Sequence, residues 1–463
     1  MQRLHLQQQH RQRRPPLQPP CGVKRARTAA AAVTARASAA IEWQQTRNGS
    51  WVASPRQQSA AAARRPPGVV HLLGGAFAGA APQVLYARLA EALAAPPSRR
   101  RGKSGGNGGN GGGNGGGGAG WTVVATPYRV TFDHLRSAES VRRALREAVE
   151  EVAGAGGDDA PAFPDPARRA CAAVLAGRAP LLAVGHSNGA LLHCLGACQQ
   201  QQQQDDDDER EGGAGPPSTS SPSSPSSSSL PPPLLRPRAL VLVSYNNKAV
   251  GDAVPFGLLD RLRDALPPPS PGEGAAPSSP RLPELPAPLG PLAEALVSPR
   301  IARASPAVEQ VATVADEVRR GASDFSPPPA VTRQIVASSF PRALRTLLVR
   351  FSDDATDETP ELARLLADRP SVGSIVLPGT HLTPCGADGA LLRESPLAAG
   401  MWGGAAASGR RIRPFTPADA LAMAAREWGR ADRERDADRF EERVVGFLRA
   451  ASAAEDGGGS VRV

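Results

Sequence analysis

Gly185-His186-Ser187-Asn188-Gly189 sets a serine between two glycines in the G-x-S-x-G pattern. A serine hydroxyl becomes a nucleophile when a sharp turn lifts it clear of its neighbours and a base takes its proton. N–H donors must then receive the charge that develops on the attacked carbonyl. The pentapeptide alone is a weak signal, because Gly102-Lys103-Ser104-Gly105-Gly106 repeats it inside a glycine tract. Context separates the two. An apolar run at residues 180–184 predicts a strand directly before Ser187, and residues 190–198 predict a helix directly after it, whereas Ser104 has neither neighbour.

Of the seven histidines, His381 in "SIVLPGTHLTP" follows the last predicted strand, which suits a base that arrives late in the chain. The order Ser, acid, His asks for a carboxylate at the end of the preceding strand, and "TLLVRFSDDATDETPEL" supplies Asp353, Asp354 and Asp357. Asp354 is preferred as the acid because it lies three residues past Phe351; Asp357 and Asp353 are the alternatives. The competing uses of this cluster are capping of the helix predicted from residue 358 and metal binding; no clustered His or Cys supports the second. For the oxyanion, "HLLGGAFAG" follows the first parallel strand, and the N–H of Gly75 or Ala76 can join that of Asn188. Asp133-His134 and Asn246-Asn247-Lys248 also fall just past strand ends, as pocket residues or as structural hydrogen-bonding groups.

Something has to position these residues. Two β-prone runs flank Asn48-Gly49 and predict a hairpin over 42–54. Strands are predicted at 68–73, 121–126, 180–184, 239–245, 346–351 and 372–377. Helices are predicted at 82–94 (with Val84, Leu85, Leu89 and Leu93 on one side), 136–153, 166–177, 190–198, 358–367 and 417–451. Apolar strands alternating with helices imply an α/β fold: a mainly parallel sheet with helices on both faces. Low-complexity insertions interrupt it at about 96–120, 199–238 and 267–291, and residues 292–339 form a candidate lid.

Composition narrows the function. The net charge of +10 suggests a nucleic-acid partner until it is located: residues 1–41 hold seven arginines and Lys24 with no acid, leaving the rest near neutrality. Only three of the 54 basic residues are lysines, and no basic stripe with interleaved aromatics occurs, so no nucleic-acid partner is expected. Residues 1–40 are Arg- and Ala-rich, lack acid and lack a continuous apolar segment, the pattern of an organellar transit peptide, with the folded domain expected over 41–452. Five cysteines without C-x-x-C spacing argue against a disulfide framework and a zinc site. No metal and no cofactor are expected. No apolar run is long enough for a transmembrane segment.

With "GVVHLLGGAFAGAAPQVLYARLAEALA", "TVVATPYRVTFDH", "GHSNGALLH", "LVSYNNKA", "TLLVRFSDDATDET" and "LPGTHLTP" in order across residues 43–385, the chain resembles an α/β-hydrolase-fold protein. Within that fold it is most similar to the chloroplast and cyanobacterial family of unknown function numbered 1350. The resemblance implies an α/β-hydrolase-like sheet and a chloroplast address, in the stroma or peripheral to a membrane; it implies no substrate. Leu73 stands where many hydrolases have the histidine of a His-Gly pair, a departure that bears on which N–H serves the oxyanion. The reading is a serine hydrolase of esterase, lipase or thioesterase type, acting on a small-molecule or lipid-like acyl substrate, with oligomeric state open. The alternative is a non-catalytic hydrolase-fold binding or assembly factor.

Overall fold

Among the described residues eight strands join in one sheet in the order β1-β2-β4-β3-β5-β6-β7-β8. The structure, a computed structural model, describes residues 41–56, 68–94 except 77, 120–155, 162–212, 235–250, 310–385 except 311, 312, 315 and 319, and 432–453. The leader, most of the glycine tract, the proline-rich insertion, residues 292–309 of the candidate lid and residues 417–431 of the last predicted helix lie outside the described residues.

β1 (Ile41–Gln45) and β2 (Trp51–Pro55) pair antiparallel across the Asn48-Gly49 turn, where Gly49 takes φ 89°. β2 then lies antiparallel to β4 (Thr122–Ala125). Every other pairing is parallel: β3 (Val69–Leu73) with β4 and β5 (Leu181–His186), β5 with β6 (Ala239–Val243), β6 with β7 (Arg345–Phe351), and β7 with β8 (Val372–Leu377). β3, β5 and β6 are buried along their whole length, which explains why they read as continuous apolar runs.

Alternate residues sort to the two faces. Val70 and Leu72 pack with Leu89 and Leu93 of α2 (Ala87–Ala94) and with Phe440, Val444 and Leu448 of α8 (Arg433–Ala453). On the other face Val69 and Leu181 meet α3 (His134–Glu150) and α4 (Asp165–Leu175). Leu240, Leu242 and Leu348 there meet α5 (Asn188–Gly212), α6 (Pro329–Ser339) and α7 (Thr359–Leu365). Each fully buried Leu or Phe contributes roughly 1.5–3 kcal/mol as an upper bound. This is the α/β-hydrolase fold, with both faces of a mainly parallel sheet covered.

Three expectations need correction. The helix predicted over 82–94 is broken at Tyr86 into α1 (Pro82–Leu85) and α2, and the tyrosine is fully buried at the break. The insertion expected from residue 199 begins later, because α5 continues through the glutamine and aspartate runs to Gly212. Glutamine is a good helix former, and here its amides find partners on neighbouring elements: Gln199 Nε2 donates to Leu135 O, Gln200 Nε2 to Leu235 O and Gln202 Nε2 to Ser339 Oγ, at 3.3, 2.9 and 3.0 Å. Finally, residues 329–339 of the candidate lid are α6, whose buried Thr332 and Val336 pack it into the layer against α5.

Candidate active site

Ser187 lies between the end of β5 and the start of α5 with φ 55°, a backbone angle that non-glycine residues avoid at a cost of about 1–2 kcal/mol. The flanking glycines are sterically required. A Cβ on Gly185 would stand 2.6 Å from Gly189 O, and one on Gly189 would stand 2.4 Å from Gly74 O and 2.6 Å from Leu73 O. The strand and helix therefore cross too closely for any side chain, and the turn holds the nearly buried Ser187 at the carboxyl end of the sheet.

His381 and Asp354 come to the same end from the loops after β8 and β7. His381 Nε2 is 3.0 Å from Ser187 Oγ, and His381 Nδ1 is 2.8 Å from Asp354 Oδ2. Thr356, which sequence reasoning missed, ties the acid down: its N–H and its hydroxyl both donate to Asp354 Oδ1, at 3.0 and 2.8 Å, and its Oγ1 is also 3.0 Å from His381 Nδ1. Burial opposes ionisation of Asp354, but the hydrogen bond and charge of His381, with help from Ser244 and Thr356, hold its carboxyl well below the usual range. Ser244 is fully buried, with its backbone at φ 47°.

The other two acids lie elsewhere. Asp357 Oδ1 accepts from Thr359 N at 2.8 Å and so caps α7; burial raises its pKa, and its second oxygen is 3.8 Å from Arg350 Nε. Asp353 is exposed, with its backbone N–H on Gly379 O. Capping in this cluster therefore falls to Asp357, while Asp354 faces the histidine. Among the described residues no three His, Cys, Asp or Glu side chains group so as to hold a metal ion.

The oxyanion side differs from expectation in one respect. The Gly75 N–H is taken, because it donates to Tyr86 Oη at 2.8 Å, and the Gly75 Cα packs so near that a Cβ there would lie 3.1 Å from Ser187 Cβ. Among the described residues the Ala76 and Asn188 N–H groups make no hydrogen bond, and the latter opens α5, where the helix dipole favours negative charge. Tyr128 holds the two strand ends together: its hydroxyl donates to Gly74 O at 2.9 Å and accepts from Asn188 Nδ2 at 3.3 Å.

Asp133-His134 and Asn246-Asn247-Lys248 serve structure. Asp133 caps α3 by accepting from Arg136 N, and His134 is buried and stacked on Phe325, with its pKa lowered to about 4 by burial. Asn247 donates to Pro329 O, and Lys248 Nζ to Ala355 O. Tyr86, Tyr128 and Thr356 carried no local signal, since each acts through a partner distant in sequence or through a turn whose shape the sequence does not specify.

With this geometry in place, comparison with known proteins gives one family. Residues 236–395 match the model of the family described as "Protein of unknown function (DUF1350)". Over that stretch, about a third of its length, the chain is similar to the DUF1350 family. The matched stretch runs from just before β6 past His381, so it holds Asp354 and His381, while Ser187 and the Gly75 loop precede it; it is narrower than residues 43–385, across which the family-like motifs run. No curated protein matches the chain. Among solved structures, Esterase B from Lactobacillus rhamnosis in a C6-C4 SN3 inhibited form is 11% identical, with 90% of this chain and 91% of that chain covered and a TM-score of 0.37. The thioesterase domain from the curacin biosynthetic pathway is 14% identical (76% and 96% covered, TM-score 0.33). A peroxisomal alpha-beta-hydrolase from Saccharomyces cerevisiae is 11% identical (86% and 97% covered, TM-score 0.37). No helix among the described residues is long and apolar enough to cross a membrane.

Proposed function

We propose that the chain is a serine hydrolase that cleaves an acyl ester or thioester. One observation supports this above others: Ser187 Oγ, His381 and Asp354 form a continuous hydrogen-bonded line, 3.0 Å and 2.8 Å long at its two links. An ionised carboxylate only accepts, so the proton between His381 and Asp354 belongs to Nδ1 and the Nε2 lone pair faces the serine hydroxyl. In the proposed reaction Ser187 Oγ attacks the carbonyl carbon as His381 Nε2 takes its proton. Asp354 steadies the imidazolium, and the Asn188 and Ala76 N–H groups receive the oxyanion. His381 then protonates the leaving oxygen or sulfur, and water repeats the sequence on the acyl-enzyme.

The substrate is proposed to be a small-molecule or lipid-like acyl compound; the basic, acid-free leader supports an organellar address, and the resemblance to the chloroplast and cyanobacterial family makes a chloroplast the one proposed. A fluorescent fusion of residues 1–60 that stays in the cytosol refutes the address. For the activity the test is a fluorophosphonate probe, which labels an activated serine: wild-type chain is labelled and Ser187→Ala is not. A wild-type chain that reacts with neither probe nor short acyl esters leaves the non-catalytic binding or assembly reading in its place.

A further inference from the structure

The G-x-S-x-G pattern leaves its second residue open, and here that residue is a histidine with both ring nitrogens engaged. His186 Nε2 is 2.9 Å from the backbone carbonyl oxygen of His381, and His186 Nδ1 is 2.8 Å from Tyr86 Oη. The direction of every proton follows from the two ends. A carbonyl only accepts, so Nε2 carries the hydrogen; a neutral ring then has its lone pair on Nδ1, so Tyr86 donates to it. Tyr86 Oη in turn accepts the Gly75 N–H at 2.8 Å. The result is one directional chain from the loop after β3, through α1 and α2, through the residue before the nucleophile, to the loop that carries His381.

Neither group in the middle is free to do anything else. His186 is 2% exposed and Tyr86 fully buried; the imidazole ring lies 5.8 Å from the tyrosine ring and 4.8 Å from that of His381. Burial, then the nearby His381, lower the pKa of His186 to about 3 against the opposing pull of Asp354 and of its bond to the His381 carbonyl, so the ring stays neutral. Cys385, from the same loop as His381, sits against Tyr86 as a buried thiol with its pKa raised to about 11, chiefly by burial.

His381 itself is less buried. Its side chain is 26% exposed, and it stands in a turn after the edge strand β8. A base must hold its position against the nucleophile to within about 0.5 Å, and a misplacement of about 1 Å costs on the order of 100-fold. We infer that His186 and Tyr86 are positioning residues, joining the nucleophile turn, the base loop and the Gly75 loop through a single hydrogen-bond chain. The inference rests on the hydrolase proposal for its effect on rate, but the chain itself has a signature that needs no turnover.

The full chain is tested in two ways. In the first, the rate of inactivation by a fluorophosphonate is measured for His186→Ala, His186→Gln and Tyr86→Phe, with melting temperatures alongside. His186→Ala falls by about 100-fold, while His186→Gln, whose amide N–H can reach the same carbonyl, recovers to within about tenfold of wild type. Tyr86→Phe falls by about tenfold while remaining folded. On a turned-over ester the losses appear in kcat with KM unchanged. In the second, the histidines are labelled with nitrogen-15 and their ring resonances followed between about pH 5 and 8, the range in which an ordinary histidine titrates. His186 shows a protonated Nε2 and an unprotonated Nδ1 throughout, and Tyr86→Phe moves only the Nδ1 resonance. Equal inactivation rates for His186→Ala and wild type overturn the inference, as does a His186 that titrates in this range or carries its proton on Nδ1. If the wild-type chain ignores the probe, it is the hydrolase proposal that fails, and the nitrogen resonances alone then decide whether the chain of bonds exists.

Discussion

Replacing Asp354 by asparagine keeps the shape of the site and reverses the proton logic. In the native chain Oδ1 accepts two hydrogens from Thr356, one from the backbone and one from the hydroxyl, at 3.0 and 2.8 Å, while Oδ2 accepts from His381 Nδ1 at 2.8 Å. An asparagine has only one oxygen. The two Thr356 donors hold that oxygen on their side, so the amide NH2 faces His381 Nδ1, which must now accept. The imidazole proton moves to Nε2 and points at Ser187 Oγ, where a lone pair is needed. A wrong-tautomer histidine of this kind costs about 10⁴ in kcat, or roughly 5.4 kcal/mol at about 1.36 kcal/mol per factor of ten. The assay is fluorophosphonate inactivation or hydrolysis of a short acyl ester near neutral pH, with melting temperature measured in parallel. Asp357→Asn is the internal control, since that carboxylate serves the Thr359 N–H and not the histidine. An Asp354→Asn rate within tenfold of wild type, or a larger loss from Asp357→Asn, refutes the reasoning.

Ser187→Ala and His381→Ala each abolish probe labelling, and the double variant is scarcely slower in ester hydrolysis than either single one, because the members act as a unit; Ser104→Ala has no effect. Asp354→Ala keeps more activity than either, since nucleophile and base remain. Gly189→Ala pushes a methyl group to 2.4 Å from one backbone oxygen and 2.6 Å from another, an overpacking of about 1–3 kcal/mol, so its melting temperature falls by about 2–4 °C per kcal/mol. Gly446→Ala, with open space around its Cβ, melts no lower than wild type. Acid weakens the fold early. Burial lowers the pKa values of His186 to about 3 and of His134 and His193 to about 4, so below about pH 6.5 the unfolded chain takes up protons that the folded chain refuses. Their contribution is complete above about pH 6.5 and is lost as the pH falls toward about 4, by on the order of 1.4 kcal/mol per unit per histidine at most. The depressed Asp354 adds a loss in the same direction at lower pH. A melting temperature unchanged between about pH 7 and 4.5 contradicts this.

Much of the arrangement was legible in the residues themselves because the signals were local. The strands around Ser187 are short apolar runs, and a buried parallel strand needs nothing but apolar side chains on both faces; β6, expected over 239–245, spans Ala239–Val243 and is buried throughout. The turn at Ser187 requires glycine at both flanks because strand and helix touch there, and that requirement is written into five consecutive residues. The positions of Asp354 and His381 past the ends of β7 and β8 follow from chain order. What distant partners decide was not legible. The glutamine run became helix because its amides meet Leu135, Leu235 and Ser339, and nothing within the run names them. Residues 329–339 fall within the candidate lid span of 292–339, yet the buried Thr332 and Val336 pack α6 against α5, and nothing within the segment names that partner. The Gly75 N–H belongs to Tyr86 because a hydroxyl from the α1–α2 break reaches into the loop after β3, and His186 is tied to His381 across 195 residues. Local sequence dictates what a turn can hold and where a strand must run. Which donor meets which acceptor is set only when the packed layers bring separate elements within about 3 Å, since a hydrogen bond has no reach beyond that distance.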